Sequence, residues 1–203
     1  MKLRYNAPVI LTFSLVCTAI LLLAQIIPGF MNLFIVPGNN TFFNLFSFDI
    51  LRIISHIFGH ANWEHLLGNI SFILLIGPVL EEKYGSLRML VMILFTGLAT
   101  GIFNLLFLAN ASLGASGIVF MLILLISVTN VRRGEIPLTL IAIVAIFLFK
   151  EIYNMLVVQN DINEAAHLVG GLVGGVFGFV FAQEKKSKSD LSASSSDSTH
   201  ILS

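Results

Sequence analysis

GASGIVFMLILLISVTNVRR, residues 114–133, opens on a small cluster around a serine, runs on through apolar residues and stops at two arginines. The run from Ser116 to Val131 reads as a bilayer-spanning helix halted at one membrane surface by Arg132 and Arg133. Ser116 stands at its other end, where the helix begins. There the first-turn N–H groups lack intrahelical partners and the helix dipole is positive, an environment that favours a developing oxyanion.

The rest of the chain has the same character. It is 57% apolar and 11% charged over 203 residues, with 18 Phe and 16 Gly, whereas soluble domains carry roughly 25% charge. Apolar run length gives six spans, at 8–27, 63–80, 87–108, 116–131, 136–158 and 164–182. The fold class expected is an all-α membrane protein, a six-transmembrane-helix bundle with a long membrane-interfacial first loop. Residues 1–182 form the transmembrane domain. Residues 183–203, rich in Lys and Ser, form a disordered cytoplasmic tail. The first apolar stretch follows Lys2 and Arg4 but leads into no small-residue cleavage site, so it reads as a retained helix. Zero formal charge suggests no nucleic-acid partner, and the single cysteine, Cys17, allows no intramolecular disulfide.

Lys2 and Arg4, Lys83 and Arg88, Arg132 and Arg133, and Lys185, Lys186 and Lys188 fall at alternate connections. The intervening connections hold only Arg52, with Lys150 near the end of the fifth span. That asymmetry places both termini in the cytoplasm. The basic N-terminus is too short for an import presequence, so a prokaryotic plasma membrane is expected. The connection from Pro28 to Gly59 is long and carries Phe42, Phe43, Leu45, Phe46, Phe48, Ile50 and Leu51. It is too apolar for a solvated loop and fits the outer membrane interface, or else Ile50–Phe58 extends the second helix.

Polar residues within spans are costly and need a reason. His65 and Asn69 in the second span, Ser116 in the fourth and His167 in the sixth stand out. At about 1.5 Å per residue, Ser116 lies roughly 24 Å above Arg132, His167 roughly 27 Å above Lys185, and His65 and Asn69 roughly 27 and 21 Å above Lys83. Groups from three helices thus share one layer. A serine needs a base to become a nucleophile, and His167 is placed to serve. His65 and Asn69, four apart, share a helical face and can both donate to an oxyanion. In the sixth span Ala166, Gly170, Gly174 and Gly178 recur every four residues, a face for close packing, expected against the fourth helix.

These motifs resemble the rhomboid family. His60, His65 and Asn69 match its His-x₄-His-x₃-Asn pattern. Gly114, Ala115, Ser116 and Gly117 match its Gly-x-Ser-Gly, and Ala166, His167, Gly170 and Gly174 match its Ala-His-x-x-Gly-x-x-x-Gly. The matches occur in family order and cover about Phe58 to Gly178. The resemblance implies an intramembrane serine endopeptidase with a Ser116–His167 dyad and no required aspartate. It gives His65, Asn69 and the Ser116 backbone, with Gly114 in the same motif, the oxyanion role. His60, Phe120, Gly117, Gly170 and Gly174 would support the site, and Glu81 matches a family position that ties helices together. No cofactor or metal is implied, and the partners expected are membrane lipid and single-pass transmembrane substrates. Two positions depart from the family: Leu51 precedes Arg52 where Trp is common, and Phe120 replaces a frequent Tyr, so the base loses a hydroxyl neighbour.

Other readings are blander. Ser116 could be a helix cap, and His65 and Asn69 could be interhelical hydrogen-bond glue. His56 and His60 lack the further ligands that zinc needs. Asp161 and Glu164 read as a capping pair, and Lys150–Glu151 lie in a stretch, 147–158, that could act as a gate. The rival function is a non-catalytic rhomboid-like protein that binds membrane clients. Such proteins lose the serine or the histidine, and this sequence keeps both. A transporter would be expected to show internal repeats, and none is seen.

Overall fold

A computed structural model describes residues 5–41, 43, 49–129 and 169–177, together with 138, 141, 142, 145, 146, 149 and 180. The described chain is helical. Helix α1 spans Pro8–Ile26, α2 spans Asp49–Ser55, α3 spans Trp63–Tyr84, α4 spans Ser86–Phe107 and α5 spans Ser116–Thr129. Short 3₁₀ turns occupy Phe30–Phe34 and His56–Phe58, and 169–177 are helical. α1, α3 and α4 are each long and apolar enough to cross a bilayer. Most of the fifth span expected, 136–158, and both ends of the sixth lie outside the described residues, as does the tail.

One helix outruns the apolar run that announced it. α3 continues through Glu81, Glu82 and Lys83 to Tyr84, because charged residues can stay helical beyond the hydrocarbon. Gly85, at φ 85°, then turns the chain directly into α4. That positive φ suits glycine.

α1 begins at Pro8, whose fixed φ suits a first helical turn. Ala7 precedes it in the left-handed region (φ 52°) and caps nothing. The cap comes from α3 instead. The amides of Val9 and Ile10 donate to Glu81 Oε1 and Oε2, each at 3.0 Å. One turn earlier in α3, Gly77 admits Ile10: a Cβ there would lie 2.6 Å from Ile10 Cδ1.

α5 sits at the centre. Ile118, Val119, Phe120, Met121, Leu122 and Leu125 are all buried, as expected of a helix apolar on every side. It packs on α3 and α4. The helical segment 169–177 closes against it through glycines. A Cβ on Gly170 would collide with the Gly117 carbonyl, and one on Gly174 with the Met121 carbonyl. The expected pairing of the sixth and fourth spans is thus observed, by backbone approach that only small residues permit.

The connection after α1 does not extend α3. Gly59–Asn62 separate α2 and its 3₁₀ turn from α3, and Asn62 is fully extended (φ −160°, ψ 177°). Ile50, Leu51 and Leu33 remain exposed, which fits an interfacial segment rather than a solvated loop. Gly97 and Gly101 of α4 receive this connection. A Cβ on Gly97 would meet Ile57 at 3.0 Å, and one on Gly101 would collide with the Ile53 carbonyl.

Candidate active site

The site grows from the first turn of α3. The Asn62 carboxamide oxygen accepts the His65 amide at 2.8 Å, so the cap fixes where His65 leaves the helix. Asn69 follows one turn later on the same face. Against that face lies Gly114, at φ 126°. A Cβ there would lie 2.7 Å from His65 Cε1, 2.8 Å from His65 Nε2 and 3.8 Å from Asn69 Nδ2. The dihedral therefore calls for glycine, and a Cβ would displace the His65 ring. The Gly114 amide donates to the His56 carbonyl at 2.9 Å, which fixes the loop from its other side. Two residues on, Ser116 opens α5 and is half-buried.

His60 stands behind His65, with ring centroids 5.1 Å apart and planes at 65°. It is 0% exposed. Its Nδ1 lies 3.3 Å from the Phe58 carbonyl and must donate there, because a carbonyl only accepts. Nε2 is thereby left as an acceptor, and it is buried with no hydrogen-bond partner among the described residues. Asn69 Nδ2 is a buried donor in the same condition, in a residue 8% exposed. Buried polar groups without partners cost about 1–3 kcal/mol each, so a guest that satisfies them is favoured.

The neighbouring imidazoles are held neutral. Burial pushes His60 down from 6.5 to about 4, and the nearby His65 adds to the shift. Burial likewise lowers His56 to about 4. His56 Nδ1 donates to the Ile53 carbonyl at 2.9 Å, and Nε2 lies 3.3 Å from the Thr100 hydroxyl.

The structure thus brings together His60, His65, Asn69 and Gly114, with Ser116 directly after them. Gly117 meets Gly170, and Gly174 meets Met121. Phe120 is buried one turn into α5. His167, the base expected from sequence, lies outside the described residues, as do Lys150, Glu151, Asp161 and Glu164. Sequence reasoning missed Thr100 and Asn104 of α4, both buried. Polar residues inside an apolar span were the available signal. It also weighed His56 only as a metal ligand and missed its backbone grip on Gly114.

The Rhomboid domain family model matches residues 47–184, more than half of the chain. The chain belongs to the rhomboid family. Like other rhomboid proteins it is an integral membrane protein, and its three long apolar helices agree. It is similar to Rhomboid-like protein 11, chloroplastic, of Arabidopsis thaliana, with 29% identity over 141 residues covering 62% of this chain and 50% of that one. It is also similar to the rhomboid protease GlpG of Haemophilus influenzae, 23% identical over 146 residues covering 68% of this chain and 73% of that one. GlpG of Yersinia enterocolitica is 27% identical over 178 residues, 85% of this chain and 62% of the relative. This rhomboid protein therefore spans about half the length of the Arabidopsis relative and more of the two bacterial ones.

Proposed function

We propose that this rhomboid protein is an intramembrane serine endopeptidase. Ser116 is the nucleophile, His167 the general base, and the substrates are single-pass membrane proteins cut near the outer face. One observation carries the reading: a helix-opening serine lies directly beyond a glycine seated on His65 and Asn69, where buried polar atoms await partners.

In this mechanism His167 takes the Ser116 proton as Oγ attacks the scissile carbonyl. The carbonyl oxygen becomes an oxyanion held by the Ser116 backbone N–H, His65 and Asn69, each donor contributing about 10²–10³ in rate. The C–N bond breaks and His167 returns the proton to the leaving amine. Water, activated by the same histidine, then hydrolyses the acyl-enzyme. The Gly170 and Gly174 contacts with α5 support the pairing, since they press the helical segment that follows His167 onto the helix that Ser116 opens. A substrate helix must unwind to present its bond, so small residues at the cut and helix breakers beside it are favoured. The charge pattern supports cytoplasmic termini.

The test is purified protein in detergent with a generic transmembrane substrate. Ser116→Ala and His167→Ala are each expected to lower kcat by about 10⁴-fold or more. Retained cleavage in Ser116→Ala sinks the assignment. Substrate that binds wild-type protein but is never cut points to the client-binding alternative.

A further inference from the structure

We propose that Asn104 is a positioning residue for this site: its amide clamps the 36–39 segment onto the 108–112 segment, and so holds Gly114 and Ser116 against His65 and Asn69. The proposal rests on the proteolytic reading above.

Asn104 lies in the last turn of α4 and is 1% exposed. Its Nδ2 donates to the Pro37 carbonyl at 3.1 Å and to the Asn110 carbonyl at 3.2 Å. A carboxamide nitrogen has two hydrogens, and these go to two different segments, neither of them in a helix. The two segments also bond to each other. Val36 and Ser112 exchange both N–H···O bonds at 2.9 Å, and the Asn39 amide donates to the Leu108 carbonyl at 2.8 Å. Gly38 allows this approach, since a Cβ there would collide with the Ala109 carbonyl.

The 36–39 segment is anchored at its near end. Arg52 Nε donates to the Ile35 carbonyl at 2.6 Å, and the Ser55 hydroxyl to the Leu33 carbonyl at 2.7 Å. The loop that leads to Ser116 is therefore fastened at Leu108, Asn110, Ser112 and Gly114, the last by the His56 carbonyl. A single side chain joins both sides of that fastening from within the membrane helix. A structural amide needs only satisfied hydrogens. A clamp must join parts that otherwise move separately, and the two carbonyls that Asn104 reaches lie 73 residues apart in sequence (110 minus 37).

The experiment compares wild-type protein with Asn104→Asp, which keeps the size and removes both donors, and with Asn104→Gln, which keeps the amide. Three quantities are read in detergent: kcat and KM on a transmembrane substrate, the rate at which a fluorophosphonate modifies Ser116, and amide hydrogen exchange at Ser112, Gly114 and Ile73. Asn104→Asp is expected to lower kcat and the modification rate by about 10- to 100-fold, as a misplaced site does. KM should stay within about twofold. Exchange at Ser112 and Gly114 should quicken about tenfold or more while Ile73, in the core of α3, is unchanged. Asn104→Gln should recover most of the activity.

Wild-type kcat in Asn104→Asp overturns the proposal, and so does unchanged exchange at Ser112. Faster exchange at Ile73 as well makes Asn104 a global stability residue and overturns it too. If wild-type protein neither cleaves nor reacts at Ser116, the proteolytic reading fails, and the exchange data show separately whether the clamp exists. Should Asn104→Asp fail to fold, Asn104→Ala, which removes both donors without adding a charge, carries the same expectations.

Discussion

The two ends of α3 bury polar side chains in opposite ways. Near its C-terminal end, Glu81 is 3% exposed and both carboxyl oxygens are satisfied, each by a backbone amide of α1. Twelve residues earlier, roughly 18 Å along the helix, Asn69 is almost as buried, yet among the described residues its Nδ2 has no partner, and neither has His60 Nε2. The same helix thus treats one polar group as a fastener and leaves another waiting. A satisfied group reports on how the bundle is held. An unsatisfied one needs another account, and the proposed proteolytic reading supplies it for Asn69 Nδ2 as an oxyanion donor.

The contrast can be broken from the Asn69 end with the largest effect. Asn69→Ala or His65→Ala should lower kcat by about 10²–10³. Tm should hardly fall in Asn69→Ala, since no intact hydrogen bond of its Nδ2 is lost. A large drop in Tm with normal kcat would make Asn69 a fastener after all. At the other end, Glu81→Gln keeps the shape but sets an NH₂ group against a backbone N–H. The expected loss is about 2–3 kcal/mol of stability, read by unfolding in detergent, with kcat of the folded fraction unchanged. Reduced kcat at full stability would erase the distinction between the ends.

The smallest effect is acid sensitivity. His56 and His60 stay neutral down to about 4, whereas the unfolded imidazole protonates near 6.5. The unfolded chain therefore binds more protons within that window. Stability is complete above about 6.5 and declines as pH falls towards about 4. Between pH 7 and 6 the loss should be about 1 kcal/mol, seen as a lower Tm that His60→Gln partly removes. A Tm that rises over this interval would contradict the buried neutral pair.

Much of this was legible in the sequence because membranes impose simple rules. Apolar run length located α1, α3, α4 and α5 to within a few residues, and it erred where charged residues such as Glu81 and Lys83 prolong a helix past the hydrocarbon. Helical spacing set His65 and Asn69 on one face, and the depth reading put them level with Ser116; the seating of Gly114 against them is a finding of the structure. The glycine face at Gly170 and Gly174 followed from its repeat of four. What stayed hidden were contacts made by backbone atoms. Val36 pairing with Ser112, and the His56 carbonyl receiving Gly114, depend on where an irregular connection travels, and no side-chain pattern encodes that route. Asn104 was visible as a polar residue in a span, but its partners are carbonyls of Pro37 and Asn110, which any residues could have supplied.

The bond between Glu81 and α1 also carries a sense of time. The amides it receives belong to residues 71 and 72 positions earlier, so at ribosomal speed they precede their acceptor by roughly 4–14 s. Through that interval the first helix has a bare leading end and no acidic group to cover it. Only when the third helix arrives is the first one finished, and a chain halted short of Glu81 would expose that incompleteness to whatever surveys nascent membrane proteins.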